Sequence, residues 1–445
     1  MKLWLILVLL FLGSCTSGNA PDSREAAPSS EEEAVTVFFD VDVVPMDGER
    51  ILRHQAVMIR GDRILSVAPS ESVRVPRTAT VIEATGKYLI PGLAEMHGHI
   101  PPPSAPQDFI DSVLFLYVAN GITTVRGMLG WPGQLELREK ANRGEIVAPT
   151  LYLAGPSFSG NSINSAEEAI EKVRQQKAEG WNLLKVHPGL TRAEFDAMAR
   201  TAREVGMRFG GHVPQEVGLM HAIEMGQETF DHLDGYLEHL DGFDGPLDEA
   251  RLQEAVARTR EAGAWVIPTM ALWEVLYGAL DLETLRSYPE LKYMPADQVA
   301  QWITAHHTRL NNSQLTPELR KRVVDNRMRL LGALNRGGVG ILMGTDAPQQ
   351  FSVPGFSLHR ELERMRDAGM TPYEIIRSGT YNVGVYFRNE DDFGTIEPGK
   401  RADLVLLDAN PLEDIANVAR RAGVMVRGRW LSEEEIQRRL AAIAR

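Results

Sequence analysis

The sequence predicts an α/β protein: a TIM (β/α)8 barrel flanked by a small β-sandwich built from its N- and C-terminal segments. Three observations carry this prediction. Beyond residue 90, short apolar runs alternate with helix-like stretches, the texture of parallel strands joined by helical crossovers. Eight such runs can be placed, ending at His99, Arg126, Gly155, His187, His212, His232, Thr269 and Asp346. On either side of this region, in residues 34–90 and 394–432, the runs are short and β-like, with turn signals such as Met46-Asp47-Gly48, Arg60-Gly61-Asp62 and Thr85-Gly86-Lys87. A doubly wound open sheet is the competing architecture, but no Gly-rich dinucleotide loop supports it.

Taken in order, the chain opens on Lys2, an apolar run over 3–12 and Gly13-Ser14-Cys15. That is a charged region, a hydrophobic region and small residues before a cleavage point, and at about ten residues the run is too short to span a bilayer as a helix. Residues 12–15 resemble a bacterial lipobox, which makes 1–15 a lipoprotein signal peptide and Cys15, the only cysteine of the chain, a lipidation site. The expected location follows: exported and lipid-anchored, at the outer membrane or the periplasmic face if the source is Gram-negative. With no other cysteine there is no disulfide and no thiolate ligand. Residues 16–33 hold no Leu, Ile, Val or aromatic side chain and read as a disordered tether.

Residues 34–90 read as a small antiparallel module, and residues 91–393 as the barrel. Helix-like stretches at 166–179, 192–205 and 216–225 each end near a glycine. Residues 272–336 form a long helical insertion after the seventh strand, placed where it could lid a site at the C-terminal rim. Residues 394–432 complete the β module and 433–445 form a surface helix. The net charge of −13 and the lack of any Lys/Arg run argue against a nucleic-acid partner; the partners expected are a small-molecule or short peptide substrate and, through the lipid alone, a membrane.

The chemistry lies at the strand ends. His97 and His99 are two apart, so on a strand both imidazoles face one side, with Gly98 between them leaving room for an approaching ligand. Lys185 and His187 close the fourth run, His212 the fifth, His232 the sixth and Asp346 the eighth. In a barrel these ends converge on one rim, and four histidines, a lysine and an aspartate there fit a two-metal hydrolytic centre.

PGLAEMHGH, LLKVH, GGHVP, FDHLD and ILMGTDAP resemble the strand motifs of the amidohydrolase superfamily, and GTIEPGKRADLVLLDANPLEDI resembles its C-terminal β segment. GITTVR at 121–126 and GFSLHRELERMRDAGMT at 355–371 are similar to the branch of imidazolonepropionase-like and Xaa-Pro dipeptidase-like enzymes. The resemblance implies a binuclear divalent centre, most often zinc. His97, His99 and Asp346 would hold one ion and His212 and His232 the other, with N-carboxylated Lys185 bridging them. It further implies attack of a metal-bridging hydroxide on an amide carbonyl, with Asp346 as the catalytic proton carrier. A carbamate offsets repulsion between two close dications, which a protonated amine could not do.

His187 shares a face with Lys185 and is a candidate for contacting substrate or supporting a ligand; His359 is a candidate at the edge of the site. The sequence departs from the branch in two places. Gly127 stands where an aspartate is usual, and Asp231 where a glutamate is commoner; neither is expected to touch a ligand. The expected activity is hydrolysis of an amide-type C–N bond in a peptide, an N-acyl amino acid or a cyclic amide. The competing enzyme reading is a mononuclear deaminase or imidazolonepropionase-type lactam hydrolase, for which Glu216 would have to serve as proton shuttle. A binding lipoprotein that kept the fold without the chemistry is the competing reading from another class.

Overall fold

The computed structural model describes residues 35–312, 314–388 and 391–445; the signal peptide, Cys15 and the tether expected over 1–33 lie outside the described residues. The chain first lays down β1 (Val35–Val43), β2 (Leu52–Arg60), β3 (Arg63–Pro69), β4 (Thr80–Glu83) and β5 (Tyr88–Pro91). The barrel strands follow as β6 (Leu93–Gly98), β7 (Ile122–Gly127), β8 (Thr150–Leu153), β9 (Leu183–Val186), β10 (Arg208–Gly211), β11 (Thr229–Asp231), β12 (Trp265–Ile267) and β13 (Gly340–Ile341). The chain then returns through β14 (Leu404–Leu407), β15 (Arg421–Val426) and β16 (Arg429–Ser432) to the helix Glu433–Ile443, which buries Ile436 and Leu440.

The α/β barrel is TIM-like. β6, β7 and β8 pair in parallel, as do β9 to β13 in sequence order. Parallel bridges from Ala154 to Leu183 and from Phe158 to Val186 join the two sets on one side. On the other side the Met96 N–H donates to the Met343 carbonyl at 2.8 Å and the Asp346 N–H to that of His97 at 2.7 Å. The eighth strand is regular only over two residues, shorter than the run at 340–346 predicts. The cause is Glu95. Its buried carboxylate accepts the backbone N–H groups of His97 (3.0 Å) and Thr345 (2.8 Å), taking the place of ladder bonds between the first and eighth strands. Ala94, Met96, Tyr152, Ile267 and Leu342 pack with Tyr386, Phe387 and Phe393 to form an apolar cluster of their own.

Helices Ala166–Glu179 and Arg192–Val205 occupy their predicted spans, each with a hydroxyl N-cap and a left-handed glycine after the last turn. The stretch predicted at 216–225 is helical only over Leu219–Glu224, because residues 215–217 form a turn.

The terminal segments share one eight-stranded sheet in the order β16-β15-β14-β5-β1-β2-β3, with β4 also on β1. It is not wholly antiparallel as expected: β1 pairs in parallel with β4 over one half and with β5 over the other. The chain reaches both only after the β2–β3 hairpin has carried it around the far edge. Four strand steps separate β16 from β1, roughly 19 Å if flat, yet the rings of Phe38 and Trp430 are 5.1 Å apart. The sheet therefore curls over on itself, around Phe38, Val41, Val57, Leu89, Leu404 and Met425.

Candidate metal centre

Six side chains from five strand ends, His97, His99, Lys185, His212, His232 and Asp346, meet at one rim. His99 Nε2 lies 2.6 Å from Asp346 Oδ1, and His97 Nε2 lies 3.7 Å from the same oxygen. His232 Nε2 is 3.6 Å from the other carboxylate oxygen, and Lys185 Nζ is 3.2 Å from His97 Nε2. The imidazoles continue as a row: His97 to His232 at 4.4 Å between ring centres, His232 to His212 at 4.6 Å, and His212 to His187 at 5.0 Å. His97, His99 and Asp346 offer ligand atoms that all lie within 4.8 Å of one another, close enough to share an ion.

The outer nitrogens decide what the inner ones can do. His97 Nδ1 lies 2.8 Å from Asp231, His212 Nδ1 2.5 Å from Asp234, and His232 Nδ1 2.8 Å from the Thr269 hydroxyl. The Asp234 carboxylate only accepts, which puts the His212 proton on Nδ1 and leaves its Nε2 as a lone pair, and in this cluster the Nε2 atoms of His97 and His232 face Asp346. Burial holds the His97 and His232 imidazoles well below their ordinary pKa, so both are neutral, the form that binds metal. The donor set thus fits a metal ion chemically.

Asp231 contradicts the expectation that it touches no ligand. Besides His97 it meets the buried Arg126 guanidinium through both oxygens, at 3.1 and 3.2 Å, and lies 3.7 Å from Lys185 Nζ. Burial would raise its pKa, but the charges of Arg126 and Lys185 outweigh burial and hold it low. Arg126 is fixed in turn by the Met96 carbonyl at 2.7 Å and the Tyr386 hydroxyl at 3.0 Å. Lys185 is fully buried, and burial lowers its amine below the ordinary lysine value.

His187 stands beside His212 with its pKa pushed down to about 2 by burial and the neighbouring Lys185 charge. His359 is not at the site. It hydrogen-bonds Asn120, the C-cap of the helix Gln107–Ala119, and burial followed by the Arg421 and Arg360 charges pushes it down to about 4. The face that the helix Ser357–Asp367 turns inward carries Glu361 instead. Gly98 leaves no opening for a ligand, since a Cβ there would meet Glu95, Tyr117 and Val125 at 2.8 to 3.0 Å. Glu216 is exposed in the turn over residues 215–217.

Sequence reasoning missed Glu95, Asp234 and Thr269. Asp234 was available as the last residue of FDHLD, and Thr269 as the end of the seventh strand. The insertion contributes Trp273, whose ring is 5.9 Å from that of His232, and Arg327, whose guanidinium donates to the carbonyls of His232 (2.6 Å) and Pro268 (2.9 Å).

A closed parallel barrel with these donors at one rim defines the class: an α/β-barrel enzyme with the side chains for a metal centre. Residues 88–431 match the Amidohydrolase family, and the chain belongs to it. It is a hydrolase acting on carbon–nitrogen bonds. It is 22% identical to ochratoxinase of Aspergillus niger, over 87% of this chain and 84% of that protein. Identity to imidazolonepropionase of Streptomyces griseus is 27%, over 87% of this chain and 93% of the relative. In fold it is similar to a Xaa-Pro dipeptidase with bound methionine, with a TM-score of 0.68 and 21% identity over 90% of this chain and all of the other.

Proposed function

We propose that the chain is a binuclear metal-dependent hydrolase that uses water to cleave an amide-type C–N bond of a peptide, an N-acyl amino acid or a cyclic amide. The observation that carries this reading is the meeting of His97, His99, His232 and Lys185 around Asp346, with His212 Nδ1 held by Asp234 and His232 Nδ1 by the Thr269 hydroxyl so that their Nε2 atoms can serve as metal donors. His97, His99 and Asp346 would hold one ion and His212 and His232 the other. Lys185, 3.2 Å from His97 Nε2, would stand between them as the N-carboxylate. Imidazole and carboxylate donors suit zinc.

Two divalent ions, when bound, lower the pKa of water and polarise a carbonyl. Asp346 takes the proton of the attacking water and passes it to the leaving nitrogen, a transfer its position beside His99, His97 and His232 supports. His187, next to His212 in the row, contacts the substrate. Relatives named ochratoxinase and imidazolonepropionase support an amide substrate, while others are named as deaminases, the second reading of the site. On the sequence of residues 1–33 we also propose export and anchoring by a lipid on Cys15, testable by labelling with a radioactive fatty acid that Cys15→Ala abolishes.

The deciding experiment is elemental analysis of the purified protein, with 13C-bicarbonate NMR for the lysine carbamate and a screen of dipeptides and N-acyl amino acids. Two ions per chain, a carbamate resonance lost in Lys185→Ala and turnover of an amide are expected. One ion per chain with an unmodified Lys185 would overturn the binuclear centre.

A further inference from the structure

Glu361 lies on the helix Ser357–Asp367, outside the donor cluster, and is fully buried. It falls within the 355–371 motif, to which the catalytic reading gives no task. Its two carboxylate oxygens accept the backbone N–H groups of Met270 and Ala271, each at 2.9 Å. These open the short helix Met270–Leu276 and belong to the N–H groups that a first helical turn cannot satisfy internally. Left without an acceptor in a buried place they would force the segment to move.

The residue immediately before them is Thr269, with φ 45° and ψ 45°. A β-branched residue enters this left-handed region only when its surroundings compel it. The Thr269 hydroxyl in that conformation sits 2.8 Å from His232 Nδ1. Arg327 holds this segment by the Pro268 carbonyl and also donates to the carbonyl of His232 itself, while Glu361 holds the N–H groups that follow Thr269. The segment is thus clamped on both sides of Thr269, by Arg327 before it and by Glu361, which makes no contact with a cluster residue among the described contacts, after it.

We infer that Glu361 is a positioning residue for His232: by gripping Met270 and Ala271 it keeps Thr269 left-handed, so that the Thr269 hydroxyl accepts a hydrogen bond from Nδ1–H and leaves His232 Nε2 as a metal donor. The inference rests on the metal reading, but its first readout needs no metal. Thr269→Val removes the acceptor while keeping the shape, and Glu361→Ala removes the clamp.

The test uses the whole chain with 15N-labelled histidine, stripped of metal, and reads the His232 tautomer by NMR, assigned through His232→Asn. Chelator-competition titration with zinc alone follows. The wild type is expected to show Nδ1–H at His232. Glu361→Ala and Thr269→Val should each give a mixture of tautomers and weaken one of two ions on the order of 10- to 100-fold, leaving the other unchanged. The double variant should be no worse than either single one. A Glu361→Ala protein with the wild-type His232 tautomer, or one that weakens both ions equally, would overturn the inference. Should Glu361→Ala fail to fold, Glu361→Gln, which keeps one acceptor oxygen, gives the same reading with a smaller shift. A wild type that binds only one ion would remove the binuclear reading, while the tautomer would still decide the role of Glu361.

Discussion

Asp231 Oδ2 lies 2.8 Å from Nδ1 of His97, and the Arg126 guanidinium closes on the same carboxylate from the opposite side at 3.1 Å. The aspartate therefore faces an imidazole whose Nε2 looks into the cluster and a permanent cation that has no other carboxylate among the described contacts. Asp231→Asn keeps the volume but exchanges one acceptor for a donor, which meets Arg126 or His97 badly. Zinc affinity should fall on the order of 10- to 100-fold. Chelator competition measures it, and thermal melting of the metal-free protein checks that the fold survives. Asp231→Ala should be worse, because a fully buried arginine then has no counter-charge.

Asp346 is the one carboxylate that three histidines face together, at 2.6, 3.6 and 3.7 Å. As proton carrier it should contribute on the order of 10²- to 10⁴-fold to turnover. Asp346→Asn is expected to lose that factor in kcat on any amide substrate with an unchanged melting curve. Turnover equal to wild type would exclude Asp346 from the chemistry.

The barrel is legible in the sequence because two periodicities, glycine helix ends and hydroxyl caps agree over residues 91–378. The cluster is legible because its members stand at strand ends, where a barrel must bring them together. What the sequence hides is set by backbone that leaves the regular forms. His232 has φ 64°, so strand alternation breaks at β11, and Asp231 and His232 both reach the cluster instead of opposite faces. Asp346 also has φ 64° and follows Thr345, whose N–H bonds the Glu95 carboxylate in place of a backbone carbonyl. His359 fails for a simpler reason: its place in a helical motif says nothing of which face of that helix meets the site.

Arg401 ties the curled sheet to the barrel. Its buried guanidinium bonds Asp403 at 2.6 Å, Asp391, and the Thr124 hydroxyl on β7 at 2.9 Å. Burial would raise the Asp391 carboxyl, but the charges of Arg401, Arg427 and Arg63 outweigh it and hold the group below its ordinary value. A depressed folded-state pKa stabilises above the unfolded value, and that contribution is lost as pH falls below about 4. Arg401→Ala should cost about 3–5 kcal/mol at pH 7 by leaving the buried Asp403 carboxylate without its guanidinium, while Asp391 keeps Arg427 and Arg63. Urea denaturation should show the gap from wild type narrowing at pH 3; a gap independent of pH would refute an ionic origin.

Two glycines at the centre separate close packing from catalytic geometry. A Cβ on Gly344 would meet the His97 backbone nitrogen at 2.9 Å, Ile267 Cγ2 at 2.6 Å and Glu95 Oε1 at 3.1 Å. A Cβ on Gly98 would meet only side-chain atoms, at 2.8 to 3.0 Å. Val125 can turn aside and the Glu95 Cγ can give a little while its carboxylate stays anchored, so Gly98→Ala should cost on the order of 1–3 kcal/mol of stability and disturb the metal less than Gly344→Ala. The backbone at His97 cannot move without carrying its imidazole and the Glu95 bridge with it. Gly344→Ala should therefore weaken zinc binding as well as stability, and paired melting and chelator titrations of the two variants would show the difference. Equal metal affinity in both would mean that the eighth strand can shift without disturbing His97.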